Sequence, residues 1–140
     1  MHQGRYVRWE PFPGITGRWY LDALHHDFEG FRVLLRSEDF TRPFLRLAFA
    51  APLLYQAAEE GFRLTGPDPD SELVFPHPFY TVERSALVAE FHRSSCGVHR
   101  EWAVRHFAIY AANLCLDVLA VEEPQADRLG SGTEAGPDSV

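Results

Sequence analysis

Lysine is absent: all 13 basic side chains of this 140-residue chain are arginines. Without lysine there is no Schiff-base chemistry on a lysine amine and no lysine reaching into a phosphate loop. Cysteine is almost as scarce. Cys96 and Cys115 are the only two, too few for a disulfide framework. Long hydrophobic runs are missing as well. The longest, Leu47 to Leu54, is broken by Pro52 and is far too short to cross a bilayer. The opening Met1-His2-Gln3-Gly4-Arg5-Tyr6 leads into polar and aromatic residues, unlike the apolar segment of a secretory signal. The expected location is therefore the reducing cytoplasm. Glycine-rich phosphate loops, GxSxG, HExxH and RNA-binding strand signatures do not occur, and no cofactor is expected.

The residues that are present describe a folded chain. A hydrophobic fraction of 46% with 14% aromatics is enough for one packed core without staples. The formal net charge of -7 argues against a nucleic-acid partner. That charge is uneven: more than half of it lies from Glu122 onward, which leaves the remainder only mildly acidic. The all-arginine composition fits codon bias in a GC-rich genome. The competing explanation is selection for the planar, bidentate guanidinium.

Periodicity divides the chain into three regions. Residues 1–17, punctuated by Pro11, Pro13, Gly14 and Gly17, read as an irregular lead-in. Residues 18–124 read as one domain, and 125–140 as a disordered acidic tail. Within the domain, Arg18–Asp27, Phe31–Arg36 and Phe44–Phe49 alternate with period two and predict an antiparallel meander. Residues 52–64 fit either a helix or a strand, and the strand is preferred because the meander needs neighbours. Thr65–Pro78 reads as a surface loop, Tyr80–Arg93 as a helix, and Trp102–Ala111 with Leu114–Val121 as a hairpin. The expected fold class is α+β, a mostly antiparallel sheet with one main helix packed on it.

Several residue groups invite a chemical reading. His92, Cys96 and His99 have the close spacing of zinc ligands, with His106 or Cys115 as a fourth. No CxxC pair supports them, and an exposed His92 at a helix end is the plainer account, so no metal is expected. Cys96 beside His99 or His106 is the nucleophilic candidate. A cysteine filling a gap is the plainer alternative. His25-His26-Asp27 resembles an acid–base cluster, but strand neighbours point to opposite faces. Arg32, Arg36 and Arg46 fall on the wetter face of the meander, and Phe79 and Tyr80 read as exposed beside the acidic stretch Asp68–Glu72. Arginines and aromatics of this kind anchor protein interfaces.

Three stretches carry a resemblance. They are Ile15-x-Gly17-x-Trp19-Tyr20 running into Asp27–Leu35, Leu45–Phe49 running into Leu54-Tyr55 and Gly61-Phe62, and Trp102-x3-His106-Phe107-x-Ile109-Tyr110 with Cys115–Leu119 before Glu123-Pro124. Together they resemble a group of small bacterial proteins of unknown function, some similar to immunity proteins of polymorphic toxin systems. The resemblance implies an α+β cytoplasmic protein and transfers no site residue. The expectation is a non-catalytic interaction domain, immunity-like, that masks a basic protein partner, with no nucleic-acid or membrane partner. The alternative is a small ligand-binding or hydrolytic enzyme using Cys96 with His99 and His106.

Overall fold

Phe31, Val33 and Leu35 alternate with polar or half-exposed neighbours, and the strand they make is central to one of two sheets. The computed structural model describes residues 3–59, 66–96 and 102–130. Nine strands and one helix occur among them. The strands are β1 (Arg5–Arg8), β2 (Trp19–Asp27), β3 (Gly30–Ser37), β4 (Leu45–Phe49), β5 (Pro52–Ala58) and β6 (Phe79–Glu83). Helix α1 (Ala86–Ser94) follows, then β7 (Arg105–Tyr110), β8 (Cys115–Ala120) and β9 (Gln125–Arg128). The fold is α+β and predominantly antiparallel, with one helix packed on it.

The strands form a four-stranded sheet in the order β2-β3-β4-β9 and a five-stranded sheet in the order β1-β6-β7-β8-β5. Their apolar faces meet. Phe31, Val33, Leu35, Leu45, Leu47 and Phe49 from the first pack against Phe79, Phe107, Ile109, Leu116 and Val118 from the second. The chain changes sheet along the connection from β1 to β2 and at the short turns between β4 and β5 and between β8 and β9.

A bulge at Asp22 reconciles β2 with this core. The register pairs Trp19 with Ser37 and Leu21 with Leu35, then skips Asp22 and pairs Leu24 with Val33 and His26 with Phe31. One inserted residue reverses the parity. Trp19, Leu21 and Leu24 therefore all face inward although a single alternation cannot place them together.

The structure corrects three local expectations and agrees with a fourth, the strand at residues 52–58. The lead-in is not wholly irregular, because Arg5–Arg8 joins the five-stranded sheet beside β6. The Tyr80–Arg93 segment is a strand, then a helix. Phe79, Tyr80 and Val82 are buried in β6, and Ser85 caps a helix that starts only at Ala86. Residues 52–58 are a strand, while the suggested short strand at 62–64 lies outside the described residues. Residues 125–128 are not part of a disordered tail: Gln125–Arg128 pairs with β4 and Ala126 packs on the core, while residues 131–140 lie outside the described range. No helix among the described residues is long and apolar enough to cross a membrane.

Candidate functional sites

The three arginines singled out from the sequence do share a face. Arg46 on β4 lies opposite Leu34, which stands between Arg32 and Arg36 on β3, so all three project outward from the four-stranded sheet. Each already has a carboxylate. Arg32 donates to both oxygens of Asp27 at 2.9 and 3.2 Å, and this bidentate bond, more than any other contact, holds the Asp27 carboxyl below its usual range. Arg36 lies 3.6 Å from Asp22, and Arg46 lies 3.3 Å from Asp127. The face is compensated in charge and is not an anion trap.

Arg36 has a further arrangement. Its guanidinium lies 4.7 Å from the centroid of the Tyr20 ring and 4.6 Å from that of Phe40. Cation–π contacts form in this range. Phe40 is 62% exposed and has a φ of 63°, a left-handed conformation that costs an L residue about 1–2 kcal/mol.

Phe79 and Tyr80 are not surface residues. Both are fully buried, Phe79 in the core between the sheets and Tyr80 against Tyr6 on the opposite face. The prolines around them suggested exposure, but β6 is the second strand of its sheet and is covered on both sides. The acidic stretch is also committed internally. Asp68 and Asp70 bind Arg84, and Glu72 binds Arg5 and the Arg8 amide. These carboxylates tie the loop to β1 and β6 and do not form an open acidic patch.

The second site lies on the other side of the five-stranded sheet. His106 on β7 and Asp117 on β8 are diagonal neighbours on one face, because His106 pairs with Leu119 and Asp117 pairs with Ala108. His106 Nε2 lies 2.8 Å from Asp117 Oδ1, and Gln56 Nε2 donates to Asp117 Oδ2 at 3.4 Å. The side chains of His106 and Asp117 are 3% and 5% exposed. A carboxylate buried this deeply needs a donor beside it. In the neutral ring Nε2–H therefore donates to Asp117, and Nδ1 is left as an acceptor. That acceptor faces Ser85 Oγ at 2.7 Å, and Ser85 Oγ itself accepts the Val88 amide at 3.0 Å. With the ring neutral, the order of donation runs Ser85 → His106 → Asp117.

The Cys96–His106 pairing does not form. Both ring nitrogens of His106 are engaged by Ser85 and Asp117, which leaves neither for a thiol. Cys96 is exposed beyond the end of α1, and His99 lies outside the described residues. His92 is half-buried, not exposed. Among the described residues no three histidine, cysteine or acidic side chains gather as metal ligands. Asp117, the lone acid in an otherwise apolar strand, was the sequence signal for a buried pair. Its partners depended on strand register, which no local pattern supplied.

No family model, curated protein or solved structure matches this chain.

Proposed function

We propose that the chain is a protein-interaction domain that docks through the outer face of the four-stranded sheet, centred on Arg36 between Tyr20 and Phe40. Phe40 is the observation that carries this reading. A large ring is held in solvent by a backbone conformation that costs stability, and strain of this kind concentrates where a side chain is being presented. Tyrosine and arginine beside it supply the residue types that dominate interface energetics. The arginines are already matched by their own carboxylates, so the reading favours a partner with an apolar or aromatic edge over one selected by charge. An immunity-like role in the cytoplasm belongs to the same reading, with the face occluding a partner protein.

The test compares wild-type chain, Phe40→Gly and Arg36→Ala as baits in lysate of the native host. The expected result is one specific protein retained by wild type and weakened about tenfold or more by either substitution. Phe40→Gly should be at least as stable as wild type, since glycine relieves the left-handed strain. Equal retention by all three baits, or no specific protein on wild type, refutes the proposal.

A further inference from the structure

We infer that Ser85 is an activated nucleophile for acyl transfer, with His106 as its general base and Asp117 as the positioning residue. The inference is independent of the docking face, which lies on the other sheet.

Four observations converge on Ser85. The first is the hydrogen-bonded relay, with contacts of 2.7 Å and 2.8 Å joining Ser85, His106 and Asp117. In such a relay the imidazole accepts the hydroxyl proton, and the carboxylate fixes its tautomer and stabilises the imidazolium. Here Nδ1 faces the serine and Nε2 the acid, the reverse of the usual protease arrangement. One acceptor and one donor nitrogen serve equally well either way round.

The second observation is the backbone. Ser85 sits at a strand-to-helix junction, between β6 and α1, and the preceding Arg84 has a φ of 53°. A strained strand–turn–helix corner is how hydrolases on open sheets present their serine. Glu83-Arg84-Ser85-Ala86-Leu87 lacks the glycines of that motif, so a pattern search passes over it. Arg84 adopts the left-handed conformation a glycine would otherwise take.

The third is the field. Ser85 caps the N-terminus of the nine-residue α1, whose first turn holds no acidic residue. The Ala86 and Val88 amides are committed to the Gln3 carbonyl and to Ser85 Oγ, so what this end offers negative charge developing at the reacting carbonyl is the helix dipole more than free donors.

The fourth is space. A shallow depression of about 480 Å³, open to solvent, lies beside Ser85 and is lined by Val82, Arg84, Val88, Ala89 and Val104. The walls are mainly apolar, and the Arg84 guanidinium is already bonded to Asp68 and Asp70. The substrate class is therefore an ester with a small, uncharged, apolar acyl group.

The reaction balances without any other reagent than water. The Ser85 Oγ lone pair forms a bond to the acyl carbon, and its proton passes to His106 Nδ1. The bond to the leaving alkoxide oxygen breaks, and that oxygen takes the proton from His106. Water then attacks the acyl-serine. His106 accepts the water proton and returns one to Ser85 Oγ as the carboxylic acid departs.

The test treats the full chain with a fluorophosphonate probe and, separately, with p-nitrophenyl acetate, followed by peptide mapping. Ser85 should be phosphonylated and acetylated in the wild type. His106→Gln should slow labelling about a hundredfold or more, the usual scale for a general base. Ser85→Asn preserves a capping oxygen and removes the nucleophile. It should remain folded, with some loss of melting temperature for the missing bond to His106, and carry no label on the α1 peptide. Asp117→Asn should label slowly and Asp117→Glu recover part of the rate, a rescue that a merely structural role would not give. Should Ser85→Asn or His106→Gln unfold, Ser85→Cys replaces them: its new thiol should alkylate faster than Cys96 of the same chain. An unmodified Ser85 in folded wild type, or a wild-type labelling rate in folded His106→Gln, overturns the assignment.

Discussion

Gly4 has no room for a side chain. Its φ is 132°, and a Cβ built there lies 2.6 Å from the Glu83 carbonyl oxygen and 2.9 Å from that of Arg84. Val82 Cγ1 lies 2.8 Å away as well, but the two oxygens are backbone, so no rotamer change relieves them. Gly4→Ala should cost about 2–3 kcal/mol, read as a fall in the urea midpoint with unchanged slope. His77 argues in the other direction, from a group that resists charging. It is 8% exposed, and its Nε2 meets the Trp9 carbonyl at 2.8 Å. Burial is the largest influence on it and lowers its pKa below the ordinary histidine value. The unfolded chain therefore binds this proton more readily than the folded one. Its contribution to stability is complete above about pH 6.5 and is lost as the pH falls toward the folded value. Denaturant titrations at about pH 5 and about pH 8 should show this loss in the wild type and a smaller one in His77→Gln, which keeps a donor but does not titrate. Identical pH dependence in the two proteins would remove His77 from the account.

Among the elements, α1 has the least packing. None of its residues is fully buried, and its clearest attachment to the sheet is Ser85 bonded to His106. Ser85→Ala should cost about 1 kcal/mol for the lost cap and about 1–3 kcal/mol for the exposed imidazole nitrogen. Hydrogen exchange should locate the damage. The α1 amides should exchange faster, while those of β7 and β8 keep their protection. Uniform acceleration across the sheet would mean that the helix supports the fold more broadly than its packing suggests. The bulge in β2 belongs at this scale too. Strand character was readable from Trp19 through Asp27, yet which residues face the core changed at Asp22.

For the molecule as a whole, distant segments close the sheets. β9 pairs with β4, so residues 125–128 complete an edge begun at residue 45. β1 similarly flanks β6 across some seventy intervening residues, bonding Arg5 to Glu83 and Glu72. Truncation after Pro124 should therefore destabilise the chain by about 2 kcal/mol or more relative to truncation after Gly130. It removes the β4 ladder, the packing of Ala126 and the Asp127 partner of Arg46. Equal melting temperatures for the two truncations would show β9 to be dispensable. Pairings this remote also predict slow folding, on the millisecond-to-second scale of non-local β topologies.

Local chemistry was enough to establish the β2–β3–β4 meander, the β5 strand and the β7–β8 hairpin, but not β1, β6 or β9. Phe31, Val33 and Leu35, like Leu45, Leu47 and Phe49, declare their inner face by period two, and the outward position of Arg32, Arg36 and Arg46 follows from the same alternation. It also established the missing lysine chemistry. Tertiary structure alone decided the rest. Burial of Phe79 and Tyr80 depends on which strands flank β6, and the split into two sheets depends on turns that change layer. The relay of Ser85, His106 and Asp117 joins residues 21 and 11 positions apart. A hydrogen bond needs atoms within about 3 Å, and only the register of β7 on β8, with the corner at Arg84, brings these three within that distance.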